Sequence, residues 1–164
     1  AKVYATAGSL EKCRICLSLG AELAINYKEQ DFAEEILKHN KSGVNLIIDT
    51  VGASFLNRNL KVLAPRGRLV LLGLLGGAKT ELNLGSVLMK RLQIIGSTLR
   101  NRTLAEKAAL TKEFSDKVLP LFSQGKIKTV VDRVYPIEET EQAHKYVADN
   151  LNMGKVILVL PHES

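Results

Sequence analysis

Short apolar runs alternate with helix-period segments along almost the whole chain, and this alternation restricts the fold more than any single composition value. Strands that alternate with helices at these lengths predict an open, mostly parallel sheet with helices on both faces. Residues 46–49, Leu-Ile-Ile-Asp, are typical of a strand that is buried on both faces. We therefore predict a doubly wound, Rossmann-like α/β fold, a class that supports many activities and does not define one by itself.

The predicted strands are short and apolar, and turn residues bound them. They cover residues 2–7, 23–26, 46–49, 68–73, 93–99, 130–135 and 155–160. The predicted helices cover residues 10–19, 32–39, 55–63, 87–90 and 138–149, and a longer one follows a capping box of Thr103 and Glu106. Ser9 is predicted to cap the first helix, Gly20 to end it, and Pro120 to interrupt the longest one. Residues 65–67, Pro-Arg-Gly, predict a turn.

The charge pattern favours a small anionic ligand over a nucleic acid. The 164 residues carry a formal net charge of +6, but only 5% of them are aromatic. A nucleic-acid surface needs basic residues with interleaved aromatic side chains, which this composition does not supply. Lysines such as Lys28 alternate with acids such as Glu29, a pattern typical of solvated helix faces.

No segment of the sequence indicates a membrane span or a metal site. No apolar run approaches the roughly 18 residues that a membrane helix needs, so we expect a soluble chain with no membrane partner. Cys13 and Cys16 have C-x-x-C spacing, but no second Cys or His pair follows them. Because a structural zinc site needs about four ligands, we expect two reduced thiols, no metal, and a reducing compartment such as the cytoplasm.

Ligands of doubly wound sheets bind beyond the carboxyl ends of the strands, so the residues that follow each strand are site candidates. Gly8 and Ser9 follow the first strand, Lys12 lies in the next helix, and Tyr27 follows the second strand. A fold that prefers NAD places an acid at the end of this strand, and none stands there. The set suits a 2′-phosphate, and therefore NADPH. A plain N-cap with a surface lysine fits the sequence equally well.

Three later segments carry weaker signals. Gly52 permits close backbone approach to a pyrophosphate or ribose, whereas Asp49 before it is alternatively the acid of a methyltransferase-like site. Leu74, Leu75, Gly76 and Gly77 form an apolar turn next to glycines. This turn either binds a flat ring or is simply a flexible turn. The predicted strand at residues 93–99 ends with Ser97, Thr98 and Leu99. Their backbone groups are suited to hydrogen-bond an amide such as that of nicotinamide.

These stretches share their order and spacing with one known family. The N-terminal part supplies residues 3–9 (Val-Tyr-Ala-Thr-Ala-Gly-Ser), 19–21 (Leu-Gly-Ala), 25–28 (Ile-Asn-Tyr-Lys), 43–45 (Gly-Val-Asn) and 49–52 (Asp-Thr-Val-Gly). The C-terminal part adds residues 135–137 (Tyr-Pro-Ile), 141–144 (Glu-Gln-Ala-His) and 154–158 (Gly-Lys-Val-Ile-Leu). In combination they resemble the medium-chain dehydrogenase/reductase superfamily, in particular its zinc-free quinone oxidoreductase branch.

The resemblance implies a two-domain enzyme that transfers hydride from NADPH to quinones or to related electrophilic carbonyl compounds such as enones. By position it assigns the turn after the first strand to the adenosine end of the cofactor and the two later loops to the nicotinamide. It assigns Asn150, with the turn at Gly154, to a segment that returns to the cofactor. It also implies a homodimer, which the strand at residues 93–99 would form by edge-to-edge pairing. The sequence names no catalytic acid.

The resemblance further implies that residues 1–164 are part of a dinucleotide-binding domain. The chain begins at what would be the second strand of that domain. The first strand, its glycine-rich turn and an N-terminal substrate domain are therefore expected outside these residues. We expect the chain alone to be inactive, and a truncated, non-catalytic nucleotide-binding or interaction module is the alternative function.

Overall fold

The computed structural model describes residues 1–161, which form two compact units that meet in the sequence at Arg102 and Thr103. The first unit alternates strands and helices from its first strand to its last. Its elements are β1 (Tyr4–Ala7), α1 (Leu10–Ser18), β2 (Leu23–Asn26), α2 (Phe32–His39), β3 (Val44–Asp49), a 3-10 turn (Ala53–Phe55), α3 (Leu56–Val62), β4 (Leu63–Leu71), α4 (Leu84–Lys90) and β5 (Gln93–Gly96).

All strand pairs of the first unit are parallel. β1 pairs with β2, with Tyr4 opposite Leu23 and Ala7 opposite Asn26. β3, β4 and β5 form a separate three-stranded sheet in that order. The α/β fold with parallel sheets is therefore confirmed. The caps of α1 are confirmed as well, since Ser9 is its N-cap residue and Gly20 has a φ of +100°.

The apolar core of the first unit contains two clusters of buried side chains. The first cluster joins β2, α2 and α3 through Ile25, Phe32, Ala33, Ile36, Phe55 and Val62. The second cluster joins α3 and β4 through Leu60, Leu63, Leu69 and Leu92. Ile47 of β3 packs against both clusters, so this strand connects the two halves of the core.

The second unit begins with the predicted capping box. Thr103 Oγ1 accepts a hydrogen bond from Glu106 N at 3.2 Å, and Thr103 N donates to Glu106 Oε2 at 2.8 Å. The predicted interruption of the longest helix falls just before Pro120, between its two segments. The elements of this unit are α5 (Leu104–Lys117), α6 (Leu119–Ser123), β6 (Val131–Pro136), a 3-10 turn (Ile137–Glu139), α7 (Thr140–Ala148) and β7 (Lys155–Val159), and β6 pairs with β7 in parallel.

The prediction that residues 46–49 are buried on both faces is wrong. Successive side chains of a strand face opposite sides of the sheet, and only one side of β3 is packed. Ile47 contacts the core, whereas Leu46 and Ile48 on the opposite face are 49% and 56% exposed. The apolar run therefore marks a strand with one buried and one open apolar face.

Several predicted boundaries also differ from the structure, among them those of β4 and β5. β5 ends at Gly96 and not at residue 99, because β4 ends at Leu71 and its carbonyl accepts a last bond from Ser97 N at 3.0 Å. β4 begins at Leu63, before the turn predicted at residues 65–67. Arg66 has a φ of +62° there, and the pairing with β3 shifts register at the same place.

Candidate functional site

The turn after β1 lies directly beneath the hydroxyl group of Tyr27. A Cβ atom placed on Gly8 would stand 2.9 Å from Tyr27 Oη, so a larger residue here would displace the phenol. Tyr27 N donates to Ala7 O at 3.1 Å, and the Tyr27 ring packs edge-on against Phe55 at 5.3 Å between centroids. The structure therefore brings together the two strand ends that the sequence assigned to one adenosine site.

Ser9 and Lys12 form the first turn of α1. Ser9 Oγ accepts a hydrogen bond from Lys12 N at 3.2 Å, and Ser9 O accepts from Cys13 N at 3.0 Å. Ser9 is therefore an N-cap, as the simpler of the two interpretations requires. The N-terminus of α1 still follows Gly8 directly, and Lys12 belongs to its first turn, which is the arrangement that the 2′-phosphate hypothesis needs.

Lys28 is a second cation at the same turn, although its alternation with acids predicted only a solvated face. A Cβ atom placed on Gly8 would stand 3.4 Å from Lys28 Cε. The backbone is fixed below it, because Lys28 N donates to Oδ1 of the buried Asn26 at 3.2 Å. Its position immediately after Tyr27 was the available signal, since both residues leave β2 at the carboxyl edge.

A second group of candidates lies where β3 and β4 end. Backbone hydrogen bonds join the loops after these strands: Leu75 N donates to Thr50 O at 3.2 Å, and Gly76 N donates to Val51 O at 2.7 Å. Gly52 has a φ of +82°, and a Cβ atom there would stand 2.9 Å from Gly77 O. The close backbone approach at Gly52 is therefore an approach to the loop that follows β4. It allows this loop to pack against the loop that follows β3.

Asp49 holds the first of these loops from the inside. Its carboxylate accepts from Val51 N at 2.7 Å, from Gly52 N at 3.2 Å and from Asn59 Nδ2 at 3.0 Å. Asp49 and Asn59 are only 4% and 3% exposed. This buried carboxylate is engaged in supporting the loop, which argues against the methyltransferase-like alternative.

The apolar side chains of the second loop are open to solvent. Leu74 is 53% exposed and Leu75 is 88% exposed, next to the glycines at positions 76 and 77. Ser97, Thr98 and Leu99 follow β5, the parallel neighbour of β4, and therefore leave the sheet at the same edge as this loop. The structure thus groups these three residues with the Gly52 loop, and their roles stay predictions.

Asn150 belongs to the second unit, where it has a left-handed φ of +55° after α7. Asp132 anchors the segment that follows, because its Oδ2 accepts from Met153 N at 3.0 Å and from Tyr146 Oη at 2.9 Å. Partial burial, together with the hydrogen bond to Asp132, raises the pKa of Tyr146 above its ordinary value. The segment is well anchored, and the cofactor contact of Asn150 stays a prediction.

The described part of the chain offers neither a metal cluster nor a membrane helix. Among residues 1–161, no group of three or more His, Cys, Asp or Glu side chains lies close enough to hold a metal ion. No helix within the same residues is long and apolar enough to cross a membrane. Both Cys13, which is buried, and Cys16 are free thiols.

Parallel strands with glycine-containing loops grouped at their carboxyl edge are typical of a nucleotide-binding domain. Comparison with known proteins supports this class. Residues 1–124 match the family described as zinc-binding dehydrogenase. The chain therefore belongs to that family, and the resemblance to the medium-chain dehydrogenase/reductase superfamily and its quinone oxidoreductases is confirmed.

Individual relatives cover nearly all of this chain. Rat quinone oxidoreductase-like protein 2 is 32% identical over 161 residues, which is 98% of this chain and 46% of that protein. The structure of Escherichia coli quinone oxidoreductase complexed with NADPH has a TM-score of 0.83 at 29% identity, covering 97% of this chain and 49% of the other. An NAD-dependent alcohol dehydrogenase has a TM-score of 0.81 at 30% identity, covering 98% and 44%. The chain spans about half the length of these relatives.

Proposed function

We propose that this chain is the nucleotide-binding portion of an NADPH-dependent oxidoreductase that reduces quinones or related electrophilic carbonyl compounds. The observation that carries the proposal is the set of donors around the turn after β1. Tyr27 Oη lies over Gly8, the N-terminus of α1 begins at Ser9, and Lys28 reaches the same turn. Every one of these groups can donate to a phosphate, and the strand ends without a carboxylate.

The donor set fits the cofactor that the proposal requires. A 2′-phosphate carries negative charge that helix N–H groups, a hydroxyl and one or two ammonium groups stabilise together. A ribose without this phosphate needs an acidic acceptor for its hydroxyl groups, which this turn does not offer. The donor set therefore supports NADPH over NADH as the proposed cofactor.

The second loop group suits the nicotinamide end. Leu74 and Leu75 present exposed apolar side chains that would pack on a flat ring and exclude water from it. The backbone of Ser97 and Thr98 would orient the carboxamide. When bound, the cofactor supplies the hydride, and the protein supplies orientation and a dry surface.

The remaining parts of the proposal concern metal and compartment. We infer chemistry without zinc, as the resemblance to the zinc-free quinone oxidoreductase branch implies. The free thiols of Cys13 and Cys16 fit a reducing compartment such as the cytoplasm. We expect a homodimer that forms through β5.

The second candidate is a non-catalytic nucleotide-binding or interaction module. It is favoured by the open face of β3, where Leu46 and Ile48 are exposed. Such a chain would bind NADPH or another polypeptide without turning over a quinone.

Isothermal titration calorimetry tests the proposal: the purified chain is titrated with NADPH, NADH and S-adenosylmethionine. We expect NADPH to bind about tenfold to a hundredfold more tightly than NADH, because a charge-assisted phosphate contact is worth ~1.5–3 kcal/mol. Equal affinity for the two nicotinamide cofactors would refute the phosphate site, and preference for S-adenosylmethionine would refute the class. An assay of quinone reduction with NADPH, made on a protein that also contains the expected substrate domain, then separates the enzyme from the non-catalytic module.

A further inference from the structure

The short 3-10 turn Ala53–Phe55 contacts both groups of cofactor candidates. At its start, Ala53 N donates to Gly77 O at 3.0 Å, in the loop that follows β4. At its end, the Phe55 ring packs edge-on against the Tyr27 ring, with 5.3 Å between centroids and 75° between the ring planes. The turn therefore joins the loop that the resemblance assigns to the nicotinamide to the tyrosine beside the turn after β1.

The Phe55 side chain is itself held in place. It is 8% exposed and belongs to the core cluster that joins β2, α2 and α3. The guanidinium carbon of Arg58 lies 4.7 Å from the centroid of the Phe55 ring and 4.8 Å from that of the Phe32 ring. Arg58 Nη2 also donates to Ser54 O at 3.2 Å, in the backbone of the same turn. A cation over two aromatic rings, together with this hydrogen bond, restricts both the ring and the turn.

The hydroxyl group of Tyr27 depends on this support for its position. The hydrogen bond from Tyr27 N to Ala7 O, at 3.1 Å, fixes the main chain but leaves the side-chain torsions to be set by packing. The hydroxyl end of the side chain contacts the turn at Gly8, and the ring contacts Phe55. An edge-on aromatic pair has a preferred geometry, so it sets the tilt of the ring as well as its distance. A leucine in place of Phe55 would keep an apolar contact and lose this orientation.

We propose that Phe55 is a positioning residue for cofactor specificity. Through its contact with Tyr27 it holds the phenolic hydroxyl over the turn after β1, where that hydroxyl donates to the 2′-phosphate. The inference rests on the proposed function, because it takes the 2′-phosphate as the ligand of this turn. It adds that the preference for NADPH depends on a buried side chain of a different loop. Loss of the ring should therefore weaken the phosphate contact and leave the contacts to the rest of the nucleotide unchanged.

Calorimetric titration of the chain with two adenosine nucleotides tests this role without an activity assay. Adenosine 2′,5′-bisphosphate and adenosine 5′-monophosphate differ only by the 2′-phosphate, and neither contains a nicotinamide. We expect Phe55→Leu to weaken the bisphosphate about fivefold or more and the monophosphate less than about twofold. Phe32→Leu is the matched control, because it makes the same truncation in the same cluster at a ring that pairs with Phe55 but not with Tyr27. It should leave the ratio of the two affinities unchanged.

A double-mutant cycle distinguishes positioning from a general effect on stability. Tyr27→Phe removes the hydroxyl and keeps the ring, so it should weaken the bisphosphate about tenfold. In the Tyr27→Phe background, Phe55→Leu should cause no further selective loss, because the group that it positions is gone. Additive losses in the double variant, or an equal selective loss in Phe32→Leu, would overturn the inference.

A second variant keeps the test decisive if circular dichroism shows that Phe55→Leu does not fold. Arg58→Ala removes the guanidinium from the Phe55 ring and leaves the apolar core intact, and it should cause the same selective loss at a smaller size of about threefold. A wild-type chain without preference for the bisphosphate would overturn the proposed function, and this inference with it. A wild-type preference that Tyr27→Phe abolishes and that Phe55→Leu, or Arg58→Ala in its place, leaves intact would overturn this inference alone.

Discussion

Asn59 donates its side-chain amide to Oδ2 of Asp49 at 3.0 Å, and both side chains are almost completely buried. This bond ties α3 to the end of β3. The other oxygen of Asp49 accepts from two backbone N–H groups of the loop that carries Gly52. An acid that in the sequence looks like a ligand-binding residue is thus the internal support of the loop beside it.

Replacement of Asp49 by alanine should therefore destabilise the fold itself. The change leaves the Asn59 amide and two loop N–H groups buried without an acceptor, which costs about 3 kcal/mol. Urea denaturation followed by circular dichroism measures the loss. The control is Asp116→Ala, because Asp116 is 59% exposed in an ion pair with Lys112 and should cost less than about 1 kcal/mol. Similar losses for the two variants would contradict the supporting role.

Lys12→Ala should weaken NADPH far more than NADH. A charge-assisted contact to the 2′-phosphate is worth ~1.5–3 kcal/mol, which is about tenfold to a hundredfold in affinity. Lys28 is more exposed than Lys12, so we expect Lys28→Ala to cause a smaller loss of about fivefold, again confined to NADPH. Lys41→Ala, an exposed lysine on the loop before β3, is the control. Equal weakening of both cofactors by Lys12→Ala would remove the phosphate assignment.

The sequence predicts the local structure of this chain better than its tertiary contacts. Ser9, Gly20 and the Thr103–Glu106 box act through neighbours within four residues, so their roles as caps could be predicted. The open face of β3 could not be predicted, because an apolar run has the same sequence pattern whether one face of the strand or both are packed. Lys28 was missed for a similar reason, since its proximity to Gly8 depends on the pairing of β1 with β2.

Gly52→Ala should cost stability and disturb the nicotinamide loop together. Its φ of +82° disfavours any side chain, and the new Cβ would stand 2.8 Å from Leu74 Cδ2 and 2.9 Å from Gly77 O. We expect a loss of about 2–4 kcal/mol in urea denaturation and weaker binding of both nicotinamide cofactors. Gly96→Ala is the matched control, since a Cβ atom on Gly96 would project into open space with no neighbour within 4 Å. A Gly52 variant with wild-type stability would show that the two loops are not held together.

The two thiols of α1 should differ in reactivity. Burial raises the pKa of Cys13 above its ordinary value, and the neighbouring Cys16 adds to the increase. Because the fold favours the neutral thiol, this contribution to stability is present below the unfolded pKa of 9.0 and is lost as the pH rises through the folded value. Iodoacetamide at about pH 8 should label Cys16 first and Cys13 only on unfolding, as peptide mass spectrometry would show. Faster labelling of Cys13 in the folded chain would contradict this order.

The outer edge of β5 should form a dimer interface. β5 lies at the end of the three-stranded sheet, and no other strand of residues 1–161 pairs with its second edge. Ile94 and Ile95 are 38% and 40% exposed, and Leu88 and Met89 of the preceding helix are 76% and 80% exposed. An unpaired edge beside apolar side chains is a surface that proteins normally cover.

Two copies that pair β5 with β5 about a two-fold axis would cover this surface in both chains at once. Ser97 N donates to Leu71 O on the β4 side. Because backbone groups of successive residues face opposite edges of a strand, the N–H and C=O groups of Ile94 face the outer edge. Ile94→Lys places a charge at the centre of that pairing and should convert a discrete dimer into a monomer, measured by light scattering, while circular dichroism stays unchanged. Leu104→Lys, at a position that is 84% exposed in the second unit, should leave the dimer intact. A wild-type chain that stays monomeric at high concentration would remove the interface, and loss of the dimer in both variants would indicate non-specific apolar association.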